Sequence, residues 1–255
     1  MTLRIDMAWL IATLLLSARI AAATMLTPIF GPTQIPGPVR VVIALGLSAF
    51  LVLAVPVTVP PIDSALGLSI ATLGELMLGA SLAFGFLVAY AATQIAGRVL
   101  DIQLGYSASA VLNPTTQTPA PLIGSVLGMA AVAVFLAMDG HHVLLRALAL
   151  SVEHYPPGAL AFDIDFGEHL RFSGAMFTFG LALAAPVMLT LLLADLALAV
   201  MSRSMPQLNV FVLSFSIKIV LGLLGLAVSV KFAGAVLTSL FESTYRFWDG
   251  VAGNG

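Results

Sequence analysis

The stretch GYSASAVLNPTTQTPAP, residues 105–121, decides how the rest of the chain is read. It is 17 residues of turn-forming sequence with no Lys, Arg, Asp or Glu, set between two strongly apolar blocks. A loop in bulk water is ordinarily charged. An uncharged one rich in Ser, Thr, Asn, Gln and small residues suits a cavity lined by protein or trapped water. The segment is therefore expected to be held inside such an enclosure.

The surrounding composition says what kind of protein encloses it. Of 255 residues, 60% are hydrophobic and 9% charged, against roughly 45–50% and 25% in a soluble domain. This is the composition of an all-α integral membrane protein, here with about six to eight hydrophobic, partly broken helices arranged as hairpins. A net charge of −2 and the lack of any Lys/Arg-rich run give no surface for nucleic acid and no electrostatic anchor for anionic lipid. With no cysteine, disulfides, thiolate catalysis and zinc–thiolate sites are excluded together.

Outward from the polar segment, residues 66–96 precede it as an apolar run longer than a span requires, with Glu75 near its start and Arg98 and Asp101 past its end. Ser81, Gly85 and Ala89 recur every four residues, a small-residue face that lets another helix approach closely; Gly124 and Gly128 repeat the device in the following run, 122–138. Asp139-Gly140-His141-His142 then breaks the chain before the run 143–152, too short to cross a bilayer as a helix. Residues 153–171, with Pro156, Pro157, Asp163, Asp165 and Glu168, form a polar linker expected to face water on one side.

Towards the N-terminus, Arg4 and the apolar residues 7–16 imitate a secretory leader. Arg19 and continued hydrophobicity to Leu26 argue instead for a retained first helix over 7–26. Residues 27–40 carry four prolines and two glycines in 14 positions, so helix cannot run through them. A second run, 39–55, barely spans before Pro56, Pro60 and Pro61 stop it. At the other end, 172–201, containing Pro186 and Asp195, and 209–241, containing Lys218 and Lys231, read as a helical hairpin around the polar turn 202–208.

A charge within a membrane helix costs about 2.5–3.5 kcal/mol on insertion scales and is therefore buried in a protein contact or faces water; Arg19, Glu75 and Asp195 are expected to be buried charges. Asp195 and Lys218 lie at depths differing by about 7 Å at the helical rise; pairing within the hairpin and pairing with another subunit both remain open. A structural ion pair is favoured over a proton relay, since one acid and one base make no relay chain. No nucleotide-binding Gly-rich loop, glycine-flanked serine nucleophile or pair of aspartates in adjacent apolar helices is present. His141 and His142 beside Asp139 have metal-ligand chemistry, but adjacent side chains on a helix point apart, so neither a metal, a cofactor nor catalysis is expected.

Five pieces of sequence carry a resemblance. They are ARIAAATMLTPIFGPTQIPGPVRVVIAL (18–45), GELMLGASLAFGF (74–86), AGRVLDIQLGYSASAVLNP (96–114), MDGHHVLLRAL (138–148) and SRSMPQLNVFVLSFSIK (202–218). In this order and spacing the chain resembles the FliR family of flagellar export-gate proteins, whose virulence counterpart is the SctT family of type III secretion systems. PQLNVF, at the tip of a membrane hairpin, is the most specific of the matching pieces.

The resemblance implies a multi-pass subunit of the export gate in the bacterial inner membrane, within the flagellar basal body. Its implied partners are FliP-like and FliQ-like subunits, FlhB-like and FlhA-like export components, the lipid bilayer and unfolded flagellar substrates. It implies a FliP-like half over 1–152 and a FliQ-like hairpin and tail over 172–255. It makes 105–121 a channel plug, with Gly105, Tyr106, Ser107, Ala108, Ser109, Asn113, Pro114, Thr115, Thr116 and Gln117 as its residues. Pro206, Gln207, Leu208, Asn209, Phe211 and Lys218 become subunit contacts. Three other readings compete, one of them an intramembrane enzyme, for which the acid or nucleophile pairs are missing. An SctT-type component would differ only in cargo, whereas a secondary transporter would show paired interrupted segments in its two halves, and here the halves are unlike.

Overall fold

The computed structural model describes residues 7–27, 36–55, 64–106, 122–159, 165–204 and 210–252, without the side chains of 210–212. Among these residues the regular structure is helical: α1 (Met7–Met25), α2 (Gly37–Ala54), α3 (Ala65–Gln103), α4 (Leu122–Ala137), α5 (Gly140–His154), α6 (Phe166–Ser204) and α7 (Val210–Val251). The protein is an all-α membrane protein. α1, α2, α3, α6 and the Leu213–Val251 part of α7 are each long and apolar enough to cross a bilayer, and the broken pair α4 and α5 makes a sixth candidate. At 39 residues, α3 is about 58 Å long, nearly twice the roughly 30 Å hydrocarbon thickness.

Local chemistry explains where these helices start. α2 begins with a proline in its first turn, where the missing N–H costs nothing. Ser64 Oγ accepts the Gly67 N–H ahead of α3. Asp165 Oδ1 accepts from Gly167 and Glu168 at 2.7 and 3.2 Å ahead of α6. With Glu168 three residues after the cap, this is a capping-box sequence. It starts α6 six residues before the apolar run expected from Phe172, so the polar 153–171 stretch contributes helix at both of its ends. Pro186 lies inside α6 without ending it; the Thr190 hydroxyl donates to the Pro186 carbonyl at 2.9 Å.

Two compact units share the chain. The first comprises Met1–Val88, Asp139–Phe172 and Glu242–Gly255, the second Ala89–Met138 and Ser173–Phe241. In the first, α1 packs on α2, and Trp248 is fully buried, its indole N–H donating to the Leu82 carbonyl at 2.7 Å. Gly85 is what admits this ring: a Cβ there would lie 2.6 Å from the indole nitrogen. Phe247 stacks on Phe172 at 4.6 Å and meets His169 edge-on at 4.9 Å, while Ser81 Oγ lies 2.5 Å from His169 Nε2. The small-residue face expected at 81 and 85 is thus a packing face.

In the second unit, α3 and α4 meet with backbones in contact, since a Cβ on Gly97 would collide with Gly124. Gln94 donates to the Gly124 carbonyl at 3.1 Å, and Tyr90 and Gln94 lie against Gly128. The α3 residues involved recur at 90, 94, 97 and 101, the spacing of one helical stripe. Phe135 packs on Phe241 with ring centroids 5.3 Å apart. Much of what remains outside is apolar: Val41, Val42 and Phe50 on α2 and Val220, Leu224 and Val228 on α7 are exposed. In a bilayer these faces need no further covering, because lipid is as apolar as they are.

Candidate functional site

The base of the polar segment is built by one residue. α3 does not stop at 96, as counting apolar residues suggested, but runs to Gln103 and takes Arg98 and Asp101 with it. It ends in a Schellman turn: Tyr106 N–H donates to the Asp101 carbonyl at 3.0 Å and Gly105 N–H to the Ile102 carbonyl at 3.1 Å, with Gly105 at φ +82°. Only glycine adopts that backbone without penalty, and a side chain here would also strike the Phe215 ring. The Asp101 carboxylate, 3% exposed, accepts the Ile123 N–H at 3.1 Å. That N–H lies in the first turn of α4, where no helical partner exists. Asp101 therefore holds both ends of the polar segment, one through its carbonyl and one through its side chain. Its other carboxylate oxygen is sealed from solvent and without a hydrogen-bond partner among the described residues.

Of the ten plug residues expected from the sequence, Gly105 and Tyr106 fall at this base. Ser107, Ala108, Ser109, Asn113, Pro114, Thr115, Thr116 and Gln117 lie outside the described residues. Pro206, Gln207, Leu208, Asn209 and the Phe211 side chain do so as well. Asp101 was missed as a site residue because it was placed beyond the helix. The signal that finds it is Gly105, four residues on, marking the true helix end.

The buried charges form a network. Arg19 is 0% and Glu75 2% exposed, and Arg19 Nε donates to Glu75 Oε2 at 2.7 Å. Arg19 Nη1 donates to the Ser151 carbonyl and hydroxyl at 2.8 and 3.1 Å, and Nη2 to the Tyr155 carbonyl at 2.8 Å. Glu75 Oε1 accepts the Gly158 N–H at 3.0 Å. Gly79, one turn beyond Glu75, brings α1 and α3 together at this level, since a Cβ there would collide with the Arg19 carbonyl. Taking both charges out of water costs several kcal/mol per ion, and only such a filled set of partners offsets it. The network ties α1, α3, α5 and the turn after α5 into one block.

Asp195 departs from expectation. It pairs with Lys218 of this chain at 2.6 Å, but its side chain is 50% exposed and that of Lys218 23%. Asp195 lies on an exposed face of α6. Further along the same antiparallel pair, Gly225 of α7 lies against Thr190 of α6. At α5 the structure also departs from expectation: the His141 and His142 rings do not diverge but lie 4.1 Å apart.

Comparison with known proteins identifies the family. Residues 10–244 match the family described as bacterial export proteins, family 1. The flagellar biosynthetic protein FliR of Bacillus subtilis is 31% identical over 242 residues, covering 91% of each chain. Its Escherichia coli namesake is 26% identical over 229 residues, 89% of this chain and 87% of that one. The secretion system apparatus protein SsaT of Salmonella typhimurium is 31% identical over 162 residues, 63% of this chain and 62% of that one. With a match running almost from end to end, the chain belongs to family 1 of the bacterial export proteins.

Proposed function

We propose that this chain is a wall-and-plug subunit of the flagellar type III protein export gate, multi-pass in the bacterial inner membrane at the flagellar basal body. The observation that carries the reading is the likeness to FliR proteins over about nine-tenths of both chains. The flagellar role is favoured over a virulence role because the match to SsaT covers a smaller share, 63%, of this chain. The chain acts by position rather than by catalysis. Residues 1–152 supply a FliP-like half and 172–255 a FliQ-like hairpin. FliP-like and FliQ-like subunits complete the conduit, with FlhB-like and FlhA-like components feeding it unfolded substrates.

Within it, residues 105–121 close the path. An uncharged stopper places no strong field in a narrow polypeptide channel, and its prolines keep helix from sealing the space permanently. The base at Asp101 supports this reading, because a segment tied at both ends to one rigid helix pair stays in register when cargo displaces its middle. Deleting 107–117 in the assembled gate tests the proposal. The membrane is expected to leak ions and small solutes; unchanged permeability with the complex intact rejects the plug.

A further inference from the structure

The geometry points to a divalent transition-metal site formed by Asp139, His141 and His142 at the start of α5. The three residues each present a ligand atom, and these atoms lie within 4.8 Å of one another. The backbone explains the convergence. Asp139 takes a left-handed conformation, φ 55° and ψ 28°, immediately before Gly140 opens the helix. An aspartate in that position ordinarily caps the helix with its carboxylate. Here it makes no cap hydrogen bond and instead lies 3.4 Å from His142 Nδ1.

A second observation concerns one of the three side chains itself. His141 Nδ1 is sealed from solvent and has no hydrogen-bond partner among the described residues. A buried ring nitrogen without a partner is uncommon in folded proteins, and a bound ion is one of the accepted reasons for it.

Donor chemistry selects the ion. Two imidazoles and one carboxylate suit zinc, cobalt, nickel or copper, whereas magnesium and calcium prefer all-oxygen sites. Metal–ligand bonds of about 2.0–2.2 Å require the widest donor pair to close somewhat. Asp139 and His142, 73% and 68% exposed, are free to make that adjustment. The positive end of the α5 dipole opposes a cation, but it is a partial charge and the Asp139 carboxylate is a whole one. Three ligands leave at least one position open, so the site resembles an exchangeable one rather than a closed structural one.

The test uses the full-length chain carrying no histidine tag, in detergent micelles. Zinc is titrated by calorimetry, and cobalt by visible absorption, which reports the ion's coordination number and geometry. One ion per chain is expected. Asp139→Asn and His142→Gln should each weaken binding by more than about 100-fold, beyond the 10–100-fold that loss of an outer-shell partner costs. His154→Gln, at the other end of α5, should bind as the parent does. Because His142 is mostly exposed, its variant folds and decides the case if Asp139→Asn does not. Failure to bind either ion, or binding that His142→Gln leaves unchanged, overturns the site.

Discussion

Replacing Asp101 by alanine should release the α4 end of the polar segment without disturbing the rest of the molecule. Asp101 is 3% exposed, and its carboxylate accepts the Ile123 N–H at 3.1 Å. A hydrogen bond to a charged group is worth about 1.5–3 kcal/mol, and losing a helix cap costs about 0.5–2 kcal/mol. Taking about 2 kcal/mol, the ratio of anchored to released states falls roughly 30-fold, since 1.4 kcal/mol is a factor of ten. Hydrogen–deuterium exchange of the chain in nanodiscs reads this directly. The Ile123 amide should exchange roughly 30-fold faster in Asp101→Ala, with exchange in α1 unchanged. Asp101→Asn keeps a carbonyl oxygen in place and should recover most of the protection. If Ile123 exchanges no faster in the alanine variant, Asp101 does not hold the segment. Equal acceleration in both variants would mean that the charge acts through the fold rather than through this bond.

Three further outcomes follow from the packing. Arg19→Leu or Glu75→Leu alone should destabilise the chain by about 3–5 kcal/mol by stranding a buried charge. The double variant should cost less than the sum of the two, checked by thermal unfolding in detergent. Lys218→Leu should change the stability of the isolated chain by no more than about 1 kcal/mol, because its pair with Asp195 is partly exposed. Co-purification of that variant with the FliP-like and FliQ-like subunits should nevertheless fall, and unimpaired assembly would reject the contact. Gly97→Leu should separate α3 from α4, where no side chain fits against Gly124. Proteolysis within 107–121 should then accelerate while a conservative Ile123→Val variant cleaves as the parent does.

The helices were largely legible because the bilayer imposes them: an apolar run that must satisfy its own backbone has few alternatives to helix. The runs at 39–55 and 122–138 agree with α2 and α4 to within a few residues. The errors came where polar residues belong to helices. α3 carries Arg98 and Asp101 inside it, and α6 starts with Phe166-Gly167-Glu168, so ending a helix at the last apolar residue cut both short. Gly105 and the Asp165…Glu168 spacing marked the true ends and were in plain view. Other links had no sequence signature. Two of the groups that hold Arg19 are the carbonyls of Ser151 and Tyr155, and a backbone acceptor is the same at every residue. The approach of Gly97 to Gly124 requires knowing the register of two helices, which their glycines suggest but do not fix.

Asp195 is instructive because the expectation failed for a physical reason that bears on assembly. Burial was inferred from the cost of a carboxylate in hydrocarbon, and that inference holds only for the surface that meets lipid. The chain leaves the side chain half exposed on the apolar face of α6, between Leu192 and Leu196, which are themselves exposed. Lys218 neutralises the charge but does not enclose it. A half-covered ion pair on such a face is expensive in lipid and tolerable against protein or water, so the α6–α7 surface at this level is better suited to a neighbouring subunit than to the bilayer. The hydrophobic faces of α2 carry no such charge in their middle and have no comparable need. The same pair that adds little to the stability of the single chain thus becomes the feature that distinguishes one of its apolar surfaces from another.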